Sequence, residues 1–214
     1  MRQNINPQLV TYIETKIIPR YKNFDAAHQT DHAISVIKES LSLATYYNVN
    51  LDMVYTIAAF HDTGLAVNRA THHLVSGSII RRDLQLRSFF TEDEIELMAE
   101  AAEDHRASSN REPRSIYGMI VAEADRCIDP ITIVRRTIQY GLSHYPKCTK
   151  EEHYKRFLEH MQEKYAEGGY LKIWLKESTN AMKLKDFQMM LKDERITRKI
   201  FEENWQFISS KNLE

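Results

Sequence analysis

Apolar residues recur along this chain at the three- and four-residue spacing of helices that bury one face. Asn6-Pro7 is an N-cap followed by proline at the first helical position, and Leu9, Val10, Ile13 and Ile17 follow in register until Pro19 ends the run. A second helix is predicted from about Asp31 to Tyr47, with Ile34, Ile37, Leu41 and Ala44 on one face and Asn48-Val49-Asn50 as its break. Asp52 is expected to cap a third helix carrying Val54, Ile57, Ala58 and His61, which Gly64 ends. Thr71 to Leu84 reads as a fourth. Thr91 and Glu94 form a capping box that opens a fifth, through Ile95, Met98, Ala99 and Ala102 to His105. After a polar stretch from Ala107 to Arg114, Ile116 to Cys127 reads as a sixth helix, with Ile120 and Val121 inward. Asp129-Pro130 caps the next, and Thr149 and Glu152 repeat the capping box before Phe157, Leu158 and Met161. Gly168-Gly169 breaks the chain, and about Leu171 to Ile208 is again helical and charged.

Period-two alternation of useful length occurs nowhere, so the expected class is all-α. Six Gly and five Pro in 214 residues agree, because strand-rich folds need more turns. The length fits a single domain spanning 1–214, with a C-terminal helical extension from about 149 to 214. A net charge of -1 supplies no general field for a nucleic-acid polymer or an anionic membrane. The first residues lack an apolar secretory core, and no run of roughly 18 apolar residues exists. Cys127 and Cys148 have no metal-type spacing and read as reduced thiols. The expected location is therefore cytoplasmic.

The candidate chemistry lies in His61-Asp62, at the end of the apolar run Ile57-Ala58-Ala59-Phe60. His32 lies upstream near the start of one predicted helix, and Asp125 lies downstream near the end of another. Each alone could be an ordinary core or capping residue. Brought together, two imidazoles and two carboxylates suit a divalent cation, because the two acids cancel its charge and lower the penalty of burying it. Mixed nitrogen and oxygen donors suit Mn, Mg, Fe, Co, Ni or Zn without choosing among them. Such an ion lowers the pKa of a bound water and polarises a phosphoryl oxygen.

The order His32, His61-Asp62, Asp125 resembles the HD superfamily of metal-dependent phosphohydrolases. The resemblance covers about residues 25 to 127 and implies a helical bundle with its site between the second, third and sixth helices. Some branches of that family place two further histidines before the last Asp, where they hold a second metal. His73 (or His72) and His105 occupy that order here. They imply either a dinuclear centre or a mononuclear one in which these rings contact substrate or shuttle protons. Segments around Phe60-His61-Asp62-Thr63-Gly64, His72-His73, Asp104-His105-Arg106 and Ala124-Asp125-Arg126 are similar to small bacterial HD hydrolases acting on nucleotides or related phosphate compounds. Departures exist. Leu65 stands where the cyclic-dinucleotide phosphodiesterase branch has Lys, and no Gly-Tyr-Pro follows. The acidic pair of alarmone hydrolases is absent, and Ser35 replaces an expected basic residue.

The expected roles are these. His32, His61, Asp62 and Asp125 hold the metal, one or two ions per chain. Asp62 and His105 are catalytic, His105 as the proton donor. Arg106, Arg126 and Arg69 are phosphate-binding candidates. Glu123 is a candidate support for the metal ligands, although an exposed helical Glu is the simpler expectation, and His28 a candidate orienter of His32. Tyr140 and Tyr145 are candidate pocket-wall aromatics. The expected activity is hydrolysis of a small phosphorylated metabolite, with a nucleotide as the leading case; self-association as a homodimer is left open. Two other readings use the same residues: an HD-type mixed-valent diiron oxygenase, and a non-catalytic sensor that binds metal and nucleotide without turnover.

Overall fold

A computed structural model describes residues 5–24, 29–109, 111–126 and 128–211, and every regular element among them is helical. The chain divides into two compact units, Met1–Arg126 and Cys127–Glu214. That boundary lies well ahead of residue 149, where the sequence suggested an extension. No helix among the described residues is long and apolar enough to cross a membrane. His28 and Cys127 lie outside the described residues.

The first unit contains α1 (Pro7–Tyr12), α2 (Thr30–Ala44), α3 (Leu51–Phe60), α4 (His72–Arg82), α5 (Glu92–Asp104) and α6 (Ile116–Ala124). Its centre is α3. All residues from Met53 to Phe60 are buried, as expected of a helix that is apolar on every side. α2, α5 and α6 pack around it. Within it the Thr56 hydroxyl donates to the Asp52 carbonyl at 2.8 Å. The cap differs from expectation. Asn50 accepts from the Asp52 and Met53 amides, while the Asp52 carboxylate accepts the Asn6 amide at 2.9 Å and so ties α1 to α3.

Pro19 does not stop the first helix. The chain widens into a π-turn over Ile13–Ile17, in which the Ile18 amide bonds to the Ile13 carbonyl, then tightens to a 3-10 helix over Ile18–Asn23. These changes keep Leu9, Ile13, Ile17 and Tyr21 fully buried on one side. In α2 the inward stripe is Ala33, Val36, Ile37, Ser40, Leu43 and Ala44, and Ile34 is exposed. α4 ends at Arg82 rather than Leu84. There Asp83 turns outward to accept from the Gln85 and Leu86 amides and from the Tyr12 hydroxyl. Both capping boxes form as the sequence suggested.

Between α3 and α4 runs a 3-10 turn, Thr63–Ala66, pressed against the start of α4. The Gly64 amide donates to the Ser76 hydroxyl at 2.9 Å. A Cβ on Gly64 would sit 2.0 Å from the His72 carbonyl oxygen and 2.8 Å from the Ser76 nitrogen. Only glycine permits this approach. After α5, Asp104 accepts from the Arg114 amide and from both the Arg111 and Arg114 guanidinium groups. That clamp fixes the loop leading to Ser115, the N-cap of α6.

The second unit contains α7 (Pro130–His144), α8 (Lys150–Lys164), α9 (Asn180–Lys192) and α10 (Glu194–Lys211). Residues 171–179 are not helical, contrary to the sequence reading, although Leu171 and Leu175 are buried. Its aromatic core includes Phe157 against Phe201 and Tyr165 against Phe187, each pair 5.4 Å between ring centres. Tyr140 stacks on His144 at 3.9 Å, and the Arg156 guanidinium lies 3.5 Å over the Tyr145 ring.

Gly64→Ala tests the tight approach. Losing a glycine restricts the unfolded chain and would stabilise by roughly 0.4–1 kcal/mol. Forcing a methyl into occupied space costs about 1–3 kcal/mol. The clash should win, so denaturant unfolding should show a net loss of stability; a gain would mean that the turn is looser than described.

Candidate metal centre

The core helix delivers the central pair. His61 is the C-cap residue of α3, and Asp62 follows in the bridge conformation (φ -107, ψ 4) at the head of the 3-10 turn. Its side chain makes no capping bond, which leaves the carboxylate to face inward. Tyr21 fixes the backbone here. Its hydroxyl donates to the Ala59 carbonyl at 3.0 Å and accepts the Asp62 amide at 3.3 Å.

The two oxygens of Asp62 face different histidines. Oδ2 lies 3.2 Å from His61 Nε2 and 3.6 Å from His32 Nε2. Asp125, the C-cap residue of α6, completes this side, with Oδ1 3.1 Å from His32 Nε2 and 3.8 Å from His61 Nε2. Oδ1 of Asp62 lies 3.3 Å from His72 Nε2 and 3.4 Å from His105 Nε2. His32, His61 and Asp62 form one group that could hold a metal ion; Asp62, His72 and His105 form another.

The rings are locked as well as gathered. His61, His72 and His105 each approach, through Nδ1, the carbonyl three residues earlier: Ala58 at 2.7 Å, Arg69 at 2.8 Å and Ala102 at 2.6 Å. A carbonyl can only accept, so Nδ1 carries hydrogen and Nε2 can present its lone pair to the centre. The Nε2 atoms then lie close: 3.4 Å between His61 and His32, and 3.2 Å between His72 and His105. Facing lone pairs repel unless a proton or a cation stands between them. The donor chemistry, the locked rings and this crowding all fit divalent ions.

Without an ion, protons take that role. Burial would depress the His32 imidazole, but hydrogen bonds to Asp125 and Asp62 overcome it and push the pKa up to about 9. Burial likewise opposes protonation of His105, and Asp62 reverses the balance and raises it. Burial works in the other direction on the acids, raising both; the surrounding imidazoles outweigh it, so Asp62 and Asp125 are held below the usual carboxylate range. Burial and the neighbouring His105 lower His72. His61, Asp62 and His105 are sealed from solvent, whereas the Asp125 side chain is 25% exposed and those of His32 and His72 are 13% and 14% exposed. The centre therefore opens on the His32, Asp125 and His72 side.

Other expected residues lie elsewhere. His72, not His73, joins His105; the buried His73 Nδ1 has no hydrogen-bond partner, and burial and His105 push that ring down to about 4. Arg126 is buried and turned back on its own helix, donating to the Ala122 carbonyl, which corrects the expectation that it reaches phosphate. Arg106 donates to the Ala70 carbonyl at 2.5 Å. Glu103 pairs with Arg81 and Arg114, and Asp104 with Arg111 and Arg114. Glu123 is fully buried, not the exposed helical Glu that its position suggested. Tyr21 was missed. The available signal was the apolar series Leu9, Ile13, Ile17 ending in a phenol, since a buried tyrosine needs a polar partner.

Residues 30–128 match the family model for the HD domain, a span that includes all six donors. This chain carries an HD domain. HD domains belong to a superfamily of metal-dependent hydrolases, and the matched span contains the His and Asp groups that could hold a metal ion. No curated protein and no solved structure matches the chain.

Two predictions follow from the centre's geometry. Tyr21→Phe removes a buried hydroxyl and leaves the Ala59 carbonyl and the Asp62 amide unpaired. Unfolding stability should fall by about 1–3 kcal/mol, and Mn²⁺ affinity should weaken about tenfold or more; unchanged affinity by titration calorimetry would deny Tyr21 its positioning role. The second concerns pH. Below about 9, His32 carries a proton that an arriving ion must displace. Affinity should thus climb as pH rises from 6 toward about 9 and flatten above it. Calorimetry in buffers of different ionisation heat should detect proton release at pH 7, and zero release would contradict the charge state described.

Proposed function

We propose that this chain is a metal-dependent phosphohydrolase that cleaves a phosphate ester or anhydride of a small metabolite, with nucleotides as the leading substrate class. The observation that carries this is the division of Asp62 between two histidine pairs. One carboxylate serving two cation seats is a design suited to two-ion phosphoryl chemistry. His32, His61, Asp62 and Asp125 would hold one ion; Asp62, His72 and His105 would hold the other. Bound there, a divalent ion supplies a water acidified toward neutral pH and a Lewis acid for a phosphoryl oxygen.

Charge favours a phosphate substrate. Two carboxylates set against two dications leave about two positive charges, a match for a phosphate carrying about −1.5 to −2. The chain's own residues then divide the work. Backbone carbonyls of Ala58, Arg69 and Ala102 hold three imidazoles in one tautomer. Tyr21 holds Asp62, and the His32, Asp125 and His72 side admits substrate. His105, first read as a proton donor, is a ligand in this scheme, because one ring nitrogen is bonded to Ala102 and the other faces Asp62.

His72→Ala and His73→Ala separate the alternatives at neighbouring positions. Elemental analysis should find two ions per chain in the unaltered protein and in His73→Ala, and fewer in His72→Ala. Phosphate release from nucleotides with Mn²⁺ should fall at least about tenfold in His72→Ala and to background in Asp62→Ala. Full activity in Asp62→Ala would end the proposal. Four imidazoles among six donors also suit iron, which keeps the diiron oxygenase reading in view. Substrate-dependent oxygen uptake by the iron-loaded protein, without phosphate release, would select it instead.

A further inference from the structure

Each imidazole of the second group is fixed to its own segment of chain. His72, the first residue of α4, is held through Nδ1 by the Arg69 carbonyl, and His105, just past α5, by the Ala102 carbonyl. The 3.2 Å between their Nε2 atoms is therefore set by how α4 lies against α5. A cation site tolerates roughly 0.2 Å in its ligand distances, whereas one residue of slip along a helix moves a side chain about 1.5 Å. Apolar burial has no direction and does not by itself supply that precision.

Arg81, near the end of α4, supplies it. Its Nε and Nη2 donate to the two oxygens of Glu96 at 2.8 and 2.7 Å, and its Nη1 donates to Glu103 Oε1 at 2.5 Å. Glu96 and Glu103 stand about two turns apart on α5, so one guanidinium grips that helix at two levels and resists both sliding and rotation. The two legs differ. The Glu96 side chain is 54% exposed, and water competes with its ion pair. The Glu103 side chain is 12% exposed. Gly77 lets Glu103 lie this close to α4: a Cβ there would stand 2.7 Å from Glu103 Cγ and 2.9 Å from the Ala99 carbonyl oxygen. The other Glu103 oxygen accepts from Arg114 Nη2 at 2.7 Å, and Arg114 also donates to Asp104, the residue before His105.

We propose that Glu103 is a positioning residue: through Arg81 it sets His72 against His105 and so shapes the second cation seat. Both its oxygens are occupied by arginines, so it acts as a brace and not as a ligand. The role in ion binding rests on the two-seat arrangement put forward above; the role in placing the rings does not.

Two measurements on the full chain test this. In the metal-free protein, nitrogen-15 NMR of the histidine rings should show His72 and His105 shifted in Glu103→Gln, and His32 far less. Calorimetric titration with Mn²⁺ should find two seats in the unaltered protein. The seat that His72→Ala removes should weaken about tenfold in Glu103→Gln, and the other by less than about threefold. Arg81→Gln should reproduce both effects. The double variant should lose no more than Glu103→Gln alone, because either change breaks the same contact. Circular dichroism would confirm folding, and Arg81→Gln decides the matter if Glu103→Gln does not fold. A brace that served stability alone would lower the unfolding midpoint and leave the ratio of the two affinities unchanged. That result, unmoved His72 and His105 signals, or additive losses in the double variant would overturn the assignment. An unaltered protein that binds one ion would refute the two-seat reading, and the ring signals would then decide on Glu103 alone. Two ions bound with this dependence on Glu103, but no phosphate released from any nucleotide, would refute the phosphohydrolase reading and leave the brace standing.

Discussion

A carboxylate buried beside four imidazoles is the constraint around which the first unit is organised. Removing an ionised acid from water carries a penalty of several kcal/mol unless cations and hydrogen bonds replace the lost hydration. Asp62 is almost fully buried and meets that requirement on both oxygens. A helix apolar on all sides places it there, Tyr21 secures its amide, and Gly64 lets α4 come close enough to bring His72. Apolar packing supplies the driving force, and the polar centre dictates which packing is acceptable.

The same electrostatics explain why the centre suits metal rather than mere stability. Imidazoles locked with Nε2 inward crowd one another at 3.2 and 3.4 Å. Protons relieve this only partly, raising His32 and His105 while holding His72 down. A divalent ion in either group would relieve it there. A core built only for stability would gain by replacing such a cluster with apolar side chains.

The helical class was legible because its signals are local. Asn6-Pro7, the capping boxes at Thr91 and Thr149, and the all-apolar run into His61 each declare a helix within a few residues. So was the set His32, His61, Asp62 and Asp125, since the resemblance rests on order along the chain. What escaped depends on rotation and distance. His72 and His73 differ by 100° around α4, and no local pattern says which faces Asp62. The π-turn changes helical phase without any residue that announces it. Arg126 looked available because sequence cannot show a side chain folding back onto Ala122. The non-helical stretch 171–179 buries Leu171 and Leu175, and in sequence such spacing resembles a helix.

Tyr21 lies outside the span that the HD family model recognises, residues 30–128, yet its hydroxyl joins the Ala59 carbonyl to the Asp62 amide. The working unit is therefore larger than the family's footprint. A fragment trimmed to that footprint would keep His32, His61, Asp62, His72, His105 and Asp125 and still uncover two backbone groups beside Asp62. The Ala59 carbonyl and the Asp62 amide would lose the phenol that joins them, and the turn that presents the Asp62 carboxylate would lose that anchor. In this protein the inventory of donors and the means of holding them still are inherited from different stretches of chain.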